Sequence, residues 1–282
     1  MLAISLALLA SASWGVADFA GGLLSRRLPA VLVLLGQQAT ALVVVGLVIA
    51  IAGEGPPEQR AILLSLAAGV CGAIALGLFY RSLALGAMSI AAPISASGIV
   101  VPVVVGVATG DRPTALQAVG LAVIAAGVVL ASREAAGEAD QAGAVDRRKS
   151  VLLALAAALF FGTFFTLSDS AADSSVLWLL FLGRSAAVPL LAILARATGN
   201  LRVPERRDLL FLAGVGVADL VATGLYAVAL TEGLLSIVAV VGALYPVTTV
   251  LLARAILHER LQVAQAIGVA LAFTGVAAVA AG

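Results

Sequence analysis

Cysteine, histidine and lysine each occur once in the 282-residue chain, as Cys71, His258 and Lys149. A lone cysteine inside an apolar run leaves no disulfide framework and no cysteine-based metal site. A lone histidine excludes a histidine-held metal centre. Charge is scarce: 11% of residues are charged, against about a quarter in a soluble globular chain. The formal net charge of +1 offers no basic field to nucleic acid. No nucleophile elbow, zincin or P-loop pattern occurs, so nothing marks an enzyme, a cofactor or an ATP-driven pump.

What the chain has instead is apolar surface. Hydrophobic residues make up 62% of it, and the mean hydropathy is +1.17. A soluble protein of this size could not cover such a surface with polar groups, so the solvent must be a bilayer. Ten runs approach the roughly 20 residues that cross the hydrocarbon core: residues 2–24, 30–52, 61–84, 88–109, 114–132, 150–170, 176–196, 208–230, 234–256 and 262–281. Asp111-Arg112-Pro113 and His258-Glu259-Arg260 are two of the breaks between them. Met1 to Ser13 resembles a signal-peptide core, but it has no basic segment before it and its apolar run continues past Trp14. It is therefore read as the first span. The one long polar stretch, Arg133 to Ser150, lacks periodicity and reads as a linker.

The linker sits mid-chain, which prompts a search for a repeat. Shifted by 147 residues, Gly15 meets Gly162, Gly36 meets Gly183, Gly69 meets Gly216 and Ser89-Ile90 meets Ser236-Ile237. After one inserted residue, Asp111-Arg112 meets Glu259-Arg260, Gln117 meets Gln265, Gly120 meets Gly268 and Gly127 meets Gly275. The expected organisation is a five-helix unit over 1–132, a linker over 133–149 and a second unit over 150–282.

Five is odd, so the second unit must enter the membrane from the opposite side as an inverted repeat. Basic residues should then fill one member of each pair of equivalent loops. Arg26-Arg27 marks the first loop, and its counterpart between Asp169 and Ser175 has no basic residue. The second loop has Arg60, and its counterpart has Arg196, Arg202, Arg206 and Arg207. The linker adds Arg133, Arg147, Arg148 and Lys149. The positive-inside rule then places the linker in the cytoplasm and both termini outside, in a multi-pass protein of the cell membrane.

These residues resemble the EamA-like ten-helix transporters of the drug/metabolite transporter superfamily, one unit per half. The aromatic-Gly pair of the unit's first helix is matched by Trp14-Gly15 and Phe161-Gly162. The Arg of its second helix is matched by Arg184 and replaced by Gln37. The Pro, acidic, Gln and Gly series is matched by Pro246, Glu259, Gln265, Gly268 and Gly275. The first half departs from it, with Gly98 at the Pro position, Pro102 nearby and Asp111 for Glu. The resemblance implies transport of small metabolites, often by exchange or proton coupling. It also implies cytoplasmic termini in many members, against the charge pattern here.

Ionisable residues inside a bilayer are functional candidates by default. Asp219 lies near the centre of the eighth run, Arg184 within the seventh, Asp18 toward the end of the first and Arg81 toward the end of the third. A partnerless Asp219 could take up and release protons; paired with Arg184 it would instead hold helices together. Arg184 either neutralises an anionic substrate group or pairs. Arg81 can snorkel to a membrane face, and Asp18 could pair with Arg81 or Arg26. Trp14, Phe161 and Tyr245 fall near helix centres, where a cavity would satisfy the polar tips of Trp and Tyr. Tyr80 and Tyr226 lie toward helix ends, as in an interfacial belt. Gln37 and Gln38 could bind substrate or join helices. Gly98, Pro102 and Pro246 are the symmetric helix breaks and the hinge candidates.

The expectation is an all-α membrane protein of ten helices in two inverted repeats. Its function is to move a small polar or amphipathic solute, amino acid-like, amine or other, by alternating access, as efflux or exchange, with protons as one candidate coupling ion. The partners are that solute and membrane lipid. A non-transporting binding or scaffold protein, a channel and an intramembrane lipid enzyme are the rival readings.

Overall fold

The computed structural model describes residues 1–25, 27–85, 94–95, 97–131, 144–257 and 263–282, with side chains for all of these except 80, 83–85, 131, 144–147, 246, 250, 253, 254 and 257. The described chain forms helices α1 (Leu2–Ser25), α2 (Ala30–Ala52), α3 (Gln59–Leu85), α4 (Val100–Thr109), α5 (Ala115–Ala131), α6 (Ala144–Ala172), α7 (Val176–Ala197), α8 (Arg206–Glu232), α9 (Leu235–Gly242), α10 (Tyr245–Leu257) and α11 (Val263–Ala281). Among the described residues, seven helices are individually long and apolar enough to cross a membrane. Three further apolar segments are shorter: Ser97–Thr109, Ala115–Leu130 and Leu235–Thr249.

Three boundaries differ from the sequence reading. α6 starts at Ala144, so the last six residues of the expected linker form its first turns; the rest of that linker lies outside the described residues. Arg148 and Lys149 favour helix intrinsically, and both are exposed, where water at the membrane face solvates them. The ninth run, expected over 234–256, is two helices with a turn at Ala243 and Leu244. Pro246 has no N–H for the carbonyl of Gly242, so the α-helical ladder cannot continue through it. The amides of Ala243 and Leu244 bond instead to Ala239 and Val241 at 3.0 and 3.2 Å. The fourth run enters α4 through a 3₁₀ turn at Ser97–Ile99. Pro102 sits in the first turn of α4, where a missing N–H costs least. Shifted by 147 residues, this 3₁₀ turn falls on 244–246, at the break of the ninth run.

The packing follows the same register. A Cβ built on Gly15 would strike the Tyr245 carbonyl oxygen, at 2.7 Å, and the Thr248 side chain. Its repeat equivalent, Gly162, faces the Gly98 carbonyl oxygen and the Val101 side chain, which are the repeat equivalents of Tyr245 and Thr248. In α5 and α11, a Cβ on Gly120 would lie 2.9 Å from the Gly275 oxygen, and one on Gly127 would lie 2.7 Å from the Gly268 oxygen. Rising numbers in α5 meet falling numbers in α11, so these equivalent helices run antiparallel. The same holds for α2 and α7. Leu34 packs with Ala187 and Leu191, whereas Ala41 and Val45 pack with Leu180. Equivalent helices that run antiparallel define an inverted repeat.

Size distribution across the bundle is inside out. Ala3, Ala7, Ala10, Ala75, Ala154, Ala157 and Ala222 are buried, whereas Val43, Leu47, Ile51, Leu152, Leu155 and Leu159 are exposed. Their helical spacing makes apolar stripes on the outer surface. Lipid solvates such stripes at no cost, and small residues inside let backbones approach for dispersion contact. Ser82 and Ser150 each donate a hydroxyl to the other's carbonyl, at 3.0 and 2.9 Å, joining α3 to α6 across the repeats.

At one end of the bundle, the Asp111 carboxylate accepts the Ser236 amide at 2.8 Å, capping α9 from the other repeat. Glu54 accepts from the Ser175 hydroxyl at the same end. At the opposite end, the Arg202 guanidinium reaches the Arg27 carbonyl.

Replacing Gly127 with Ala puts a Cβ 2.6 Å from the Ala272 amide nitrogen, and overpacking of this kind costs about 1–3 kcal/mol. Gly22→Ala meets nothing within 4 Å and gains helix propensity. Thermal unfolding in detergent should therefore show Gly127→Ala below wild type and Gly22→Ala at or above it.

Candidate functional site

The site forms where α1, α2, α7 and α8 meet. α7 is started by Ser175, whose hydroxyl accepts the Trp178 amide at 3.1 Å. Two turns later the helix presents Arg184, and its Nη2 lies 3.1 Å from Oδ2 of Asp219 in α8. The same Nη2 donates to the Thr223 hydroxyl at 3.0 Å. Thr223 in turn donates to the Asp219 carbonyl at 2.8 Å. Asp219 and Thr223 are four residues apart and so share one face of α8. The Gln37 amide of α2 and the Trp14 indole of α1 lie within hydrogen-bonding reach of the Asp219 carboxylate. One carboxylate thus gathers donors from α1, α2 and α7, across both repeats.

Arg184 is 6% exposed and Asp219 is 9% exposed, so both charges are cut off from water. Each keeps its charge in the bundle because the other is present. The reading of Asp219 as a partnerless carboxylate therefore gives way to an ion pair. The Arg184 Nε is buried and, among the described residues, has no hydrogen-bond partner.

A ring cluster adjoins the pair. Trp14 lies 5.2 Å from Tyr226 and 6.3 Å from Phe165 between ring centroids, and Phe165 lies 5.3 Å from Tyr226. Tyr226 was expected in an interfacial belt, but it is fully buried. Its position near the end of α8 misleads because the ring packs into the protein, where Gly242 leaves it room: a Cβ there would be 2.8 Å from the ring. The Tyr226 hydroxyl has no partner among the described residues. Phe161 is half-buried and meets Phe79 edge-on at 6.2 Å.

Asp18 lies one turn beyond Trp14 on the same face of α1 and is exposed. It is within electrostatic reach of Asp219 and of Tyr245, the half-buried first residue of α10. The expected pairing of Asp18 with Arg81 does not form; Arg81 is exposed, and Arg26 lies outside the described residues. Gln38 is half-buried, next to the site rather than in its hydrogen-bond network. The side chains of Tyr80 and Pro246 lie outside the description. Gly98 and Pro102 are buried. A Cβ on Gly98 would collide with the Ala158 carbonyl oxygen of α6, so Gly98 is first a close-packing position.

Sequence reasoning missed Thr223 and Phe165. Thr223 was findable, four residues after a buried carboxylate. Phe165 occupies the repeat position of Asp18, a signal visible only once both are seen at the site.

The fold and this buried polar centre define a multi-pass helical membrane protein with the architecture of a transporter. The chain belongs to the EamA-like transporter family, whose model matches residues 1–133 and 148–281. A solved crystal structure is similar over 99% of this chain and 98% of its own, with a TM-score of 0.81 and 19% identity; it supports the fold alone. No curated protein matches the chain in sequence.

Removing one member of a buried ion pair costs about 3–5 kcal/mol, because the other charge is left unpaired. Replacing both by apolar residues is near neutral. Arg184→Leu and Asp219→Leu should each lower the unfolding temperature, and the double variant should regain most of that loss. Equal losses in all three would refute the pair as the source of the effect.

Proposed function

We propose that the protein is a secondary transporter that moves a small polar or amphipathic solute by alternating access, coupled to protons or to exchange. The observation that carries this reading is Asp18, an exposed carboxylate on the aromatic-lined inner face of a membrane-spanning helix. An ionisable group in that place marks a solute or proton path. The paired breaks at Ser97–Ile99 and at Ala243 and Leu244 support it, since interrupted helices in opposed repeats are where transporters bind and bend. The Asp111 bond to Ser236 would be one closure, released when that end opens.

The orientation we propose places the Arg27 and Arg202 end in the cytoplasm and both termini outside. Among the described residues, Arg27, Arg81, Arg148, Lys149, Arg196, Arg202, Arg206 and Arg207 belong to that end, and only Arg60 and Arg112 to the other. This is the bias the positive-inside rule describes. In a Cys71→Ala background, an impermeant maleimide should label Gly55→Cys in intact cells and Val203→Cys only after lysis. The reverse pattern would invert the assignment.

Transport is tested in proteoliposomes with amino acids, amines and sugars, with and without an imposed pH gradient. Saturable uptake that responds to the gradient and is lost in Asp18→Asn is expected. Saturable uptake indifferent to both the gradient and the variant would remove proton coupling through Asp18. Absence of flux for every solute, from protein shown to be folded, would count against the transporter reading.

A further inference from the structure

We infer that the site takes a solute with a positively charged amine head and an aromatic or apolar body, with Asp18 as its counter-charge. This rests on the transporter reading of the same site and names the class of solute.

The first ground is charge balance. Among the described residues the site holds three charges, Arg184, Asp219 and Asp18. The first two neutralise each other at 3.1 Å. Asp18 remains, with no ion-pair partner among the described residues. Its exposure is not exposure to lipid. Val16, 46% exposed, is two residues earlier, which is about 200° around the helix. Trp14, four residues earlier and about 40° away, packs on Tyr226 and Phe165 inside the bundle. Asp18 therefore faces the interior, and a carboxylate there with no ion-pair partner among the described residues calls for a cation.

The second ground is what surrounds that carboxylate. Among the described residues no group of His, Cys, Asp and Glu could hold a metal ion, so a bare divalent cation would lack ligands. Aromatic rings are present instead: Trp14 on α1 and Tyr245 at the start of α10. Ring faces attract ammonium groups. The titratable groups facing Asp18 are Asp219 from α8 and Tyr245 from α10, with the Tyr226 phenol beyond Trp14. α9 carries none, and α2 offers the Gln37 amide, within hydrogen-bonding reach of Asp219. The side chain of Arg254, nine residues past Tyr245, lies outside the description.

The third ground is asymmetry. The repeat register sets Asp18 opposite Phe165, Asp219 opposite Gly72, and Trp14 opposite Phe161. A Cβ on Gly72 would touch the Phe164 ring at 3.3 Å. Charge is thus shared unevenly between the repeats, and the rings of Trp14, Phe165 and Tyr226 adjoin the carboxylates. A solute with a cationic head and an aromatic body matches the carboxylate and the neighbouring rings at once. The carboxylate holds either the ammonium group or a proton, so amine entry releases the proton when Asp18 carries one.

The test is calorimetric binding to the purified full chain, using four probes of similar size: 2-phenylethylamine, 2-phenylethanol, 3-phenylpropionate and L-phenylalanine. The amine is expected to bind about tenfold or more tightly than the alcohol and to weaken as pH falls and the carboxylate takes up a proton. Asp18→Asn should abolish the preference for the amine and its pH dependence, and Asp18→Glu should retain both. An amine that binds no better than the alcohol, or unchanged amine binding in Asp18→Asn, overturns the inference. So does tighter binding of phenylalanine or phenylpropionate, which would shift recognition to the free Nε of Arg184. If Asp18→Asn does not fold, the wild-type probe series still decides. Flux of any solute without amine preference leaves the transporter reading standing and removes this one. Amine binding without flux does the reverse.

Discussion

The Asp219 carboxylate has no water to fall back on. In the bilayer its charge is tolerable only while Arg184 lies 3.1 Å away and the donors of Gln37 and Trp14 stay within reach. That requirement ties α1, α2, α7 and α8 together more specifically than apolar contact can, because lipid tails solvate Leu and Val as well as another helix does. Thr223 holds Arg184, Arg184 holds Asp219, and the Asp219 carboxylate fixes the Trp14 edge that begins the ring cluster. The Asp18 side of the site depends on this network.

Close packing makes the rest of the bundle possible. α5 and α11 cross at glycines whose missing side chains let each backbone meet the other's carbonyl oxygens. α1 and α6 do the same against the two interrupted runs. Both interruptions fall one residue frame apart in the repeat, one by a 3₁₀ turn at Gly98 and one by the missing amide of Pro246. The two halves thus share an architecture and differ in chemistry. Where the first half has Gln37, Gly72 and Asp18, the second has Arg184, Asp219 and Phe165.

That difference matters for a transporter. A perfectly symmetric site would have equal chemistry on both sides of the pseudo-axis. Here the charged side chains come from α1, α7 and α8, and the rings of the cluster from α1, α6 and α8. Asp111, meanwhile, spends its charge on the α9 amide at the bundle end, where it holds two repeats together rather than meeting a solute.

Much of this was legible in the chain itself. Apolar run length determined the membrane and the spans, since backbone groups in hydrocarbon must be satisfied within helices. The shared Gly, Gln and acidic positions determined the repeat, and its odd helix count determined the inversion. The scarcity of charge made Asp219, Arg184 and Asp18 visible as candidates. What only the tertiary structure decided is which of them are partners. Arg184 and Asp219 are 35 residues apart on different helices, and span periodicity says nothing about how helices rotate against one another. That rotation paired Arg184 with Asp219, buried Tyr226 away from the interface, and left Asp18 without an ion-pair partner among the described residues.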